Sequence, residues 1–380
     1  MDFKLSDNQQ AFQDTARKFT RDHFLPNAAK WDEEKIFPED ALRAAAALGF
    51  AGMYVSPDFG GAGLGRVDGA VILEELAAGC PSTAAYISIH NMAAAMVDRY
   101  GTADQKNRYL EKLCSMELFS SYCLTEPSAG SDAAALRTKA VRDGDHYVLN
   151  GTKAFISGGG RADVYLCMVR TGGEGPKGIS CLIVDKGTPG LSFGAQEKKM
   201  GWNSQPTAMV IFEECRVPVT NCLGEEGQGF KIAMSALDGG RISIGTCSVG
   251  AARAALEAAL AYVQTREQFD QPLSDFQTIQ FKLADMATEL TAARLMLYNA
   301  AAKLDETAPD APLASAMAKR FATDIGFQVC DAALQLHGGY GYLKDYPLER
   351  LVRDTRVHRI LEGTNEIMRV VIARHLLQGK

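Results

Sequence analysis

The sequence predicts an α+β protein of three domains: a helical one, a middle β domain of barrel or sandwich type, and a C-terminal bundle resembling four helices. Three observations carry this. A chain of 380 residues exceeds the roughly 100–200 that one core usually serves, so two or three domains share the burial. Short apolar runs broken by Gly and Pro fill the middle of the chain, while apolar spacings of three and four flank them. Several long periodic runs joined by short breaks close the chain, the pattern of an antiparallel bundle. The domains are expected at residues 1–120, 121–226 and 227–380.

The elements follow in order. Ser6 with Gln9 is a capping-box pattern, and Phe12, Ala16, Phe19 and His23 then share a helix face until Pro26. A second helix starts at Pro38-Glu39. Gly60-Gly61-Ala62-Gly63 interrupts, and further helices start at Asp68 and near Asp104. Past residue 120, Asn150-Gly151 between two β-rich runs reads as a hairpin turn, because both central positions of such a turn need positive φ. Strands are expected at Val164–Val169, Ile179–Val184 and Met209–Phe212. Helices resume from about Gly227, with long runs at Ser248–Val263, Phe276–Leu304 and Ala311–Leu336.

Composition excludes several classes of function. Hydrophobic residues make up 47% and charged residues 23%, so the chain is globular, neither disordered nor a coiled-coil rod. A net charge of −6 without like-charge blocks favours neither nucleic acid nor an anionic membrane as a partner. The longest apolar run, Ala44 to Val55, falls short of the ~20 residues that span a bilayer. From the opening Met1-Asp2-Phe3-Lys4, neither a secretory leader nor an Arg-rich transit segment is expected. The nine cysteines are scattered without a Cys-x-x-Cys pair and read as buried small residues; the six histidines lack metal-ligand spacing. Neither a P-loop nor a Gly-x-Ser-x-Gly elbow is present, and Gly61-Ala62-Gly63-Leu64-Gly65-Arg66 lacks the last glycine of a dinucleotide fingerprint.

Two segments carry chemistry. Tyr122-Cys123-Leu124-Thr125-Glu126-Pro127-Ser128-Ala129-Gly130-Ser131-Asp132 is rich in hydroxyls and turn formers, and suits either a phosphate or ring cradle or an ordinary linker. In Arg359-Ile360-Leu361-Glu362-Gly363-Thr364-Asn365-Glu366 a carboxylate leaves an apolar stretch before a new helix. On composition alone Thr364 or Asn365 is a helix cap and Glu362 a solvated loop residue.

Together with Lys153-Ala154-Phe155-Ile156-Ser157-Gly158-Gly159, Arg266-Glu267-Gln268-Phe269 and Gln335-Leu336-His337-Gly338-Gly339, these segments resemble the acyl-CoA dehydrogenase family, in the family's order and over essentially the whole chain. Gly201-Trp202-Asn203-Ser204-Gln205-Pro206-Thr207 and Leu336-His337-Gly338-Gly339-Tyr340-Gly341-Tyr342 are most similar to its valine-degradation branch. The resemblance implies FAD between the β domain and the bundle, a homotetramer built as a dimer of dimers, and electron-transferring flavoprotein as the acceptor. It also implies a location in the bacterial cytoplasm, or in the mitochondrial matrix for a mature organellar chain. The implied substrate is isobutyryl-CoA, with 2-methylbutyryl-CoA and butyryl-CoA as alternatives and a non-catalytic acyl-CoA-binding scaffold as a different class.

The site residues follow from the same resemblance. Glu362 is the base that takes the α proton, flavin N5 takes the β hydride, and the Glu362 backbone N–H with a ribityl hydroxyl holds the thioester oxygen. Relatives that carry the base on another helix have it at the position of Gly240, which here has no side chain. FAD contacts are implied for Tyr122, Leu124, Thr125, Gly130, Ser131, Phe155, Ile156 and Ser157. They are implied also for Arg266, Phe269, Phe276, Gln277, Thr364 and Glu366, and for Gln335, Gly338 and Gly339 from a neighbouring subunit. Ser131, Asp238, Arg241, Gly363 and Arg374 match substrate positions. His337 and His358 read as structural.

Overall fold

The computed structural model describes residues 4–378. The opening Met1-Asp2-Phe3, on which the expectation about a leader partly rests, lies outside the described residues. Six α-helices come first: α1 (Asp7–Phe19), α2 (Ala28–Glu33), α3 (Glu39–Ala46), α4 (Arg66–Gly79), α5 (Pro81–Tyr100) and α6 (Ala103–Cys114). The Ser6–Gln9 capping box forms, with Ser6 Oγ accepting from Gln9 N at 3.3 Å and the Gln9 side chain returning the contact at 3.0 Å. Such a cap contributes about 1 kcal/mol to the helix. A π turn at Thr20–Phe24 extends α1 towards Pro26.

The sheet is built from β1 (Ser120–Cys123), β2 (Lys139–Asp143), β3 (His146–Ser157), β4 (Val164–Arg170), β5 (Ile179–Asp185), β6 (Leu191–Phe193), β7 (Thr207–Pro218) and β8 (Cys222–Leu223). Its order is β6-β7-β3-β2-β4-β5-β8, with β1 parallel to β4. Only the pair Lys139–Arg170 joins β2 to β4, so the sheet folds there into two halves. Both faces of β4 and β5 are covered. Tyr165, Cys167 and Val169 pack with helices α1 to α5, while Val164, Leu166 and Met168 pack with α5, α6 and the start of the next helix. Double burial explains why these two strands read as unbroken apolar runs.

The last third is helical: α7 (Gly229–Thr265), the short strands β9 (Glu267–Gln268) and β10 (Gln271–Pro272), α8 (Gln277–Asp305), α9 (Ala311–His337), α10 (Leu348–Arg356) and α11 (Asn365–Gln378). Helices α7, α8 and α9 pack mutually around Ala252, Ala255, Leu290, Leu297, Ala322 and Val329, and α4 joins them. No helix among the described residues is long and apolar enough to cross a membrane.

One expectation is overturned. Asn150-Gly151 is not a hairpin turn: β3 runs straight through it, with a register shift against β7 between Leu149 and Gly151. The turn lies earlier, at Gly144-Asp145 between the paired Asp143 and His146, where Gly144 supplies φ +60°. Gly151 is instead glycine because the chain of Thr138 crosses it. A Cβ there would meet Thr138 Cα at 2.7 Å. Gly151→Ala should therefore cost about 1–3 kcal/mol by overpacking, whereas Asn150→Ala, which loses only exposed contacts to Glu214, should cost under about 1 kcal/mol. Urea denaturation of the two variants checks this; equal losses would restore the turn reading.

Candidate active site

The site is assembled where α7, α9 and the turn before α11 meet. Glu362 has φ +55° and Gly363 φ +89°, so two successive residues take the left-handed conformation. For a residue with a Cβ this costs roughly 1–2 kcal/mol. The turn drives the Glu362 side chain inward against α7. A Cβ on Gly240 would lie 2.3 Å from Glu362 Oε2 and 3.3 Å from Met92 Sδ. The carboxylate thus occupies the space that a side chain at position 240 would need. Among the described residues, Oε2 is buried without a hydrogen-bond partner, and the Glu362 backbone N–H donates no hydrogen bond either.

Burial pushes the Glu362 carboxyl up to about 7, against the opposing pull of the Lys319 and Arg241 cations. A rise from 4.5 to about 7 corresponds to about 3 kcal/mol at ~1.4 per unit, too large for the solvated loop residue that composition suggests. Arg241 is 7% exposed and donates from NH1 to Asp238 Oδ1 at 2.6 Å. Burial raises the Asp238 carboxyl above its ordinary value, against the pull of Arg241. Tyr122 reaches the same region, its hydroxyl 3.5 Å from Ala233 O, and burial holds its proton far above neutral pH.

A second group forms at the end of β3. Pairing with β7 breaks between Lys153 and Ile156, and Phe155 is expelled there with φ +59° and 69% exposure while Ile156 is buried. Core packing is therefore not its role, since exposing a Phe forfeits about 1.5–3 kcal/mol. The Tyr122–Asp132 loop is tied to this strand by Ala154 N donating to Thr125 O at 2.9 Å. It is tied again by Lys153 Nζ, which donates to Leu124 O at 3.2 Å and Glu126 Oε1 at 2.7 Å. Glu126 also accepts from Arg137 N and Thr138 N, at 2.6 and 2.9 Å. Burial raises its carboxyl, but Lys153 and these donors outweigh that and leave it below its ordinary value. Sequence reasoning missed this pair; a charge alternating into a strand, Lys153, was its one visible trace. Ser157 O accepts from Ser121 Oγ at 2.6 Å, and Gly130 and Ser131 lie open on the loop.

A third group lies where the ends of α7 and α9 meet. Arg266, Gln335, Gly338 and Gly339 line one cleft of about 500 Å³, together with Tyr262 and Tyr340. A Cβ on either glycine would meet nothing within 4 Å. Phe269 is 89% exposed at φ +56°, its ring 6.2 Å from that of Phe276, and Gln277 opens α8 beside it. No hydrogen bond among the described residues joins this group to the Phe155 end of the sheet. Thr364 Oγ1 accepts from Ile367 N at 3.2 Å, a cap on α11, and Glu366 and Arg374 are exposed on that helix. His358 is structural: Trp202 Nε1 donates to its Nε2 at 3.1 Å, and its Nδ1 lies 2.7 Å from Ser248 Oγ. His337 Nδ1 lies 2.8 Å from Ala333 O.

Comparison with known proteins decides the family. Models of the acyl-CoA dehydrogenase N-terminal, middle and C-terminal domains match residues 6–117, 121–215 and 227–377. The mitochondrial isobutyryl-CoA dehydrogenases of Bos taurus and Dictyostelium discoideum are 58% and 60% identical to the chain, over 98% of it and 90% of each relative. Butyryl-CoA dehydrogenase from Megasphaera elsdenii superposes with a TM-score of 0.96 at 39% identity, over 99% of this chain and 100% of that one. The chain belongs to the acyl-CoA dehydrogenase family. Its cofactor is the family's, FAD. The residues present fit that group: an exposed aromatic ring on a strained strand end, an open hydroxyl-rich loop beside it, and a cleft with an arginine and two unobstructed glycines.

The Glu126–Lys153 pair yields a test of how an acyl-CoA dehydrogenase of this kind holds its loop. Lys153→Met leaves a buried carboxylate without its counter-charge and should cost about 3–5 kcal/mol, with flavin lost on dilution. Lys153→Met/Glu126→Gln should recover part of that stability. A single variant within about 1 kcal/mol of the parent in urea would show the pair to be dispensable.

Proposed function

We propose that the protein dehydrogenates a short branched acyl-CoA, isobutyryl-CoA to methacrylyl-CoA, with Glu362 as the base. The substrate is supported by the 58% and 60% identity to isobutyryl-CoA dehydrogenases, and the base by the buried Glu362 Oε2, lodged against Gly240 with no hydrogen-bond partner among the described residues. A carboxylate with unused lone pairs and a proton affinity raised to about 7 suits abstraction of a weakly acidic C–H near neutral pH. The unoccupied N–H of the same residue is a donor for the thioester oxygen, on which charge develops as the α proton leaves. Base and donor belong to one residue, so the turn that aims one aims the other.

FAD, when bound, supplies the acceptor for the β hydride. Phe155, Thr125 and Ser157 are assigned to the ring side, with Tyr122, Leu124, Gly130, Ser131 and Ile156 shaping the loop and strand that present them. Arg266, Phe269, Phe276 and Gln277 are assigned to the pyrophosphate and adenine side with Gln335, Gly338 and Gly339, and Thr364 and Glu366 to the edge past the base. Asp238 and Arg241, with Ser131, Gly363 and Arg374, are assigned to the acyl-CoA. A homotetramer, a dimer of dimers, would let Gln335–Gly339 of one subunit complete the site of another. Phe281 at 60% exposure and Leu376 and Leu377 at 66% and 86% supply apolar surface for such contacts. Electron-transferring flavoprotein is the proposed acceptor.

The purified yellow enzyme should turn over isobutyryl-CoA most efficiently in a panel of acyl-CoAs with a dye acceptor; preference for straight chains of about eight or more carbons would reject the substrate. Glu362→Gln should lose at least ~10³-fold in kcat while keeping flavin, and retained turnover would move the base elsewhere. Since the protonated acid cannot accept the α proton, kcat/KM should fall tenfold per unit below about pH 7. Gly240→Ala puts a methyl where the carboxylate lies, and should cut kcat by at least about 100-fold with the cofactor retained. An unimpaired Gly240→Ala enzyme would mean that the base acts from another position.

A further inference from the structure

Lys319 on α9 is fully buried, at 0% exposure. A buried ammonium ordinarily pairs with a carboxylate, yet the hydrogen bonds of this one go to neutral acceptors: Gly363 O at 2.8 Å and Asn365 Oδ1 at 3.0 Å. The neighbouring acid is already satisfied. Asp324 Oδ1 lies 2.8 Å from Arg359 Nε and accepts from Asn365 Nδ2 at 2.9 Å, and Arg320 and Arg369 approach its other oxygen at 3.7 Å. Arg241, the other cation facing Glu362, is committed to Asp238 at 2.6 Å. The charge on Lys319 is thus left to act on the carboxylate of Glu362, which it does not bond.

We infer that Lys319 is a positioning residue for the base: its ammonium pins the left-handed Glu362–Gly363 turn by the Gly363 carbonyl and biases the adjacent carboxylate towards its ionised form while leaving its lone pairs free. This rests on the reading of Glu362 as the base. The clamp continues through Asn365, 3% exposed, whose Oδ1 also accepts from Thr323 Oγ1 at 3.2 Å. Pinning matters because a left-handed Glu relaxes if its turn is loosened, and the carboxylate would then leave the space over Gly240. Burial pulls the Lys319 ammonium down to about 8, with Glu362 as the largest opposing influence, so it stays cationic at neutral pH. The other titratable groups facing Glu362 are Arg241 and Cys247 from α7 and Tyr122 from β1; burial keeps Cys247 and Tyr122 protonated. Asp324 and Glu366 face Lys319 itself, as does His358, which burial keeps neutral.

The test uses the holoenzyme. Lys319→Gln keeps a donor and removes the charge, Lys319→Met removes both, and Thr323→Val loosens the clamp but keeps the charge. For Lys319→Gln and Lys319→Met the acidic limb of kcat/KM should move about one unit to higher pH. Activity would fall about tenfold near pH 6, while Lys319→Gln recovers to within a few-fold above about pH 9. Lys319→Met should stay depressed at every pH, and Thr323→Val should lower kcat without moving the limb. Should the neutral variants fail to fold, Lys319→Arg, which keeps the charge, must leave the limb in place. An unmoved limb in Lys319→Gln, an equal shift in Thr323→Val, or a displaced limb in Lys319→Arg overturns the inference. Glu362→Gln run in parallel separates the two readings: if it is inactive while the Lys319 variants keep the parent limb, only the role of Lys319 fails.

Discussion

A carboxylate kept inside the protein without a partner is the constraint around which this molecule is arranged. Left alone, such a group would rotate out to water or capture the nearest donor. Neither happens, because the Glu362 side chain leaves a doubly left-handed turn and enters a space bounded by bare α7 backbone at Gly240. Three elements far apart in sequence are needed to hold it. Helix α7 supplies the bare backbone at Gly240, α9 the buried ammonium, and Thr364 the cap that starts α11 directly after the turn. Burial raises the carboxyl, and the nearby Lys319 and Arg241 cations, which do not bond it, hold that rise to about 7.

The wider fold sets the sheet and its loops against that site. Strands β4 and β5 are sandwiched between two cores, one with the N-terminal helices and one with α5, α6 and the start of α7. This fixes the sheet relative to α7, and hence the β1 loop relative to Glu362. The loop is then nailed to the end of β3 by the buried Lys153–Glu126 pair. Breaking register just past Lys153 has a local cost and turns Phe155 outwards, to the face where a planar ring can lie.

Much of this was legible in the sequence, for physical reasons that differ by element. The capping box at Ser6 and the apolar runs of β4 and β5 depend on local chemistry and register directly. Helix α5 was not separately visible, because residues buried all round its circumference leave no amphipathic period; Pro81 at its first turn was the one local sign. Asn150-Gly151 misled because Asn-Gly is a turn signal only when the chain must reverse, and here the glycine answers a steric demand from Thr138. Glu362 illustrates the limit best. Its neighbours do cap a helix, as composition suggests, and nothing local distinguishes it from a solvated residue; only the family register singled it out. Lys319 and Glu126 were invisible for the same reason, since a charge on a helix or loop reveals its burial only once the chain has folded.

The protonation of that carboxylate can be read directly. Infrared difference spectra of the protein minus its Glu362→Gln form, taken across pH, isolate the C=O stretch of the protonated Glu362 carboxyl. A band that disappears with a midpoint near 7 is the expected result. A midpoint near the ordinary glutamate value of about 4.3 would mean that the carboxylate faces water, and would contradict the assignment on which the proposed chemistry depends.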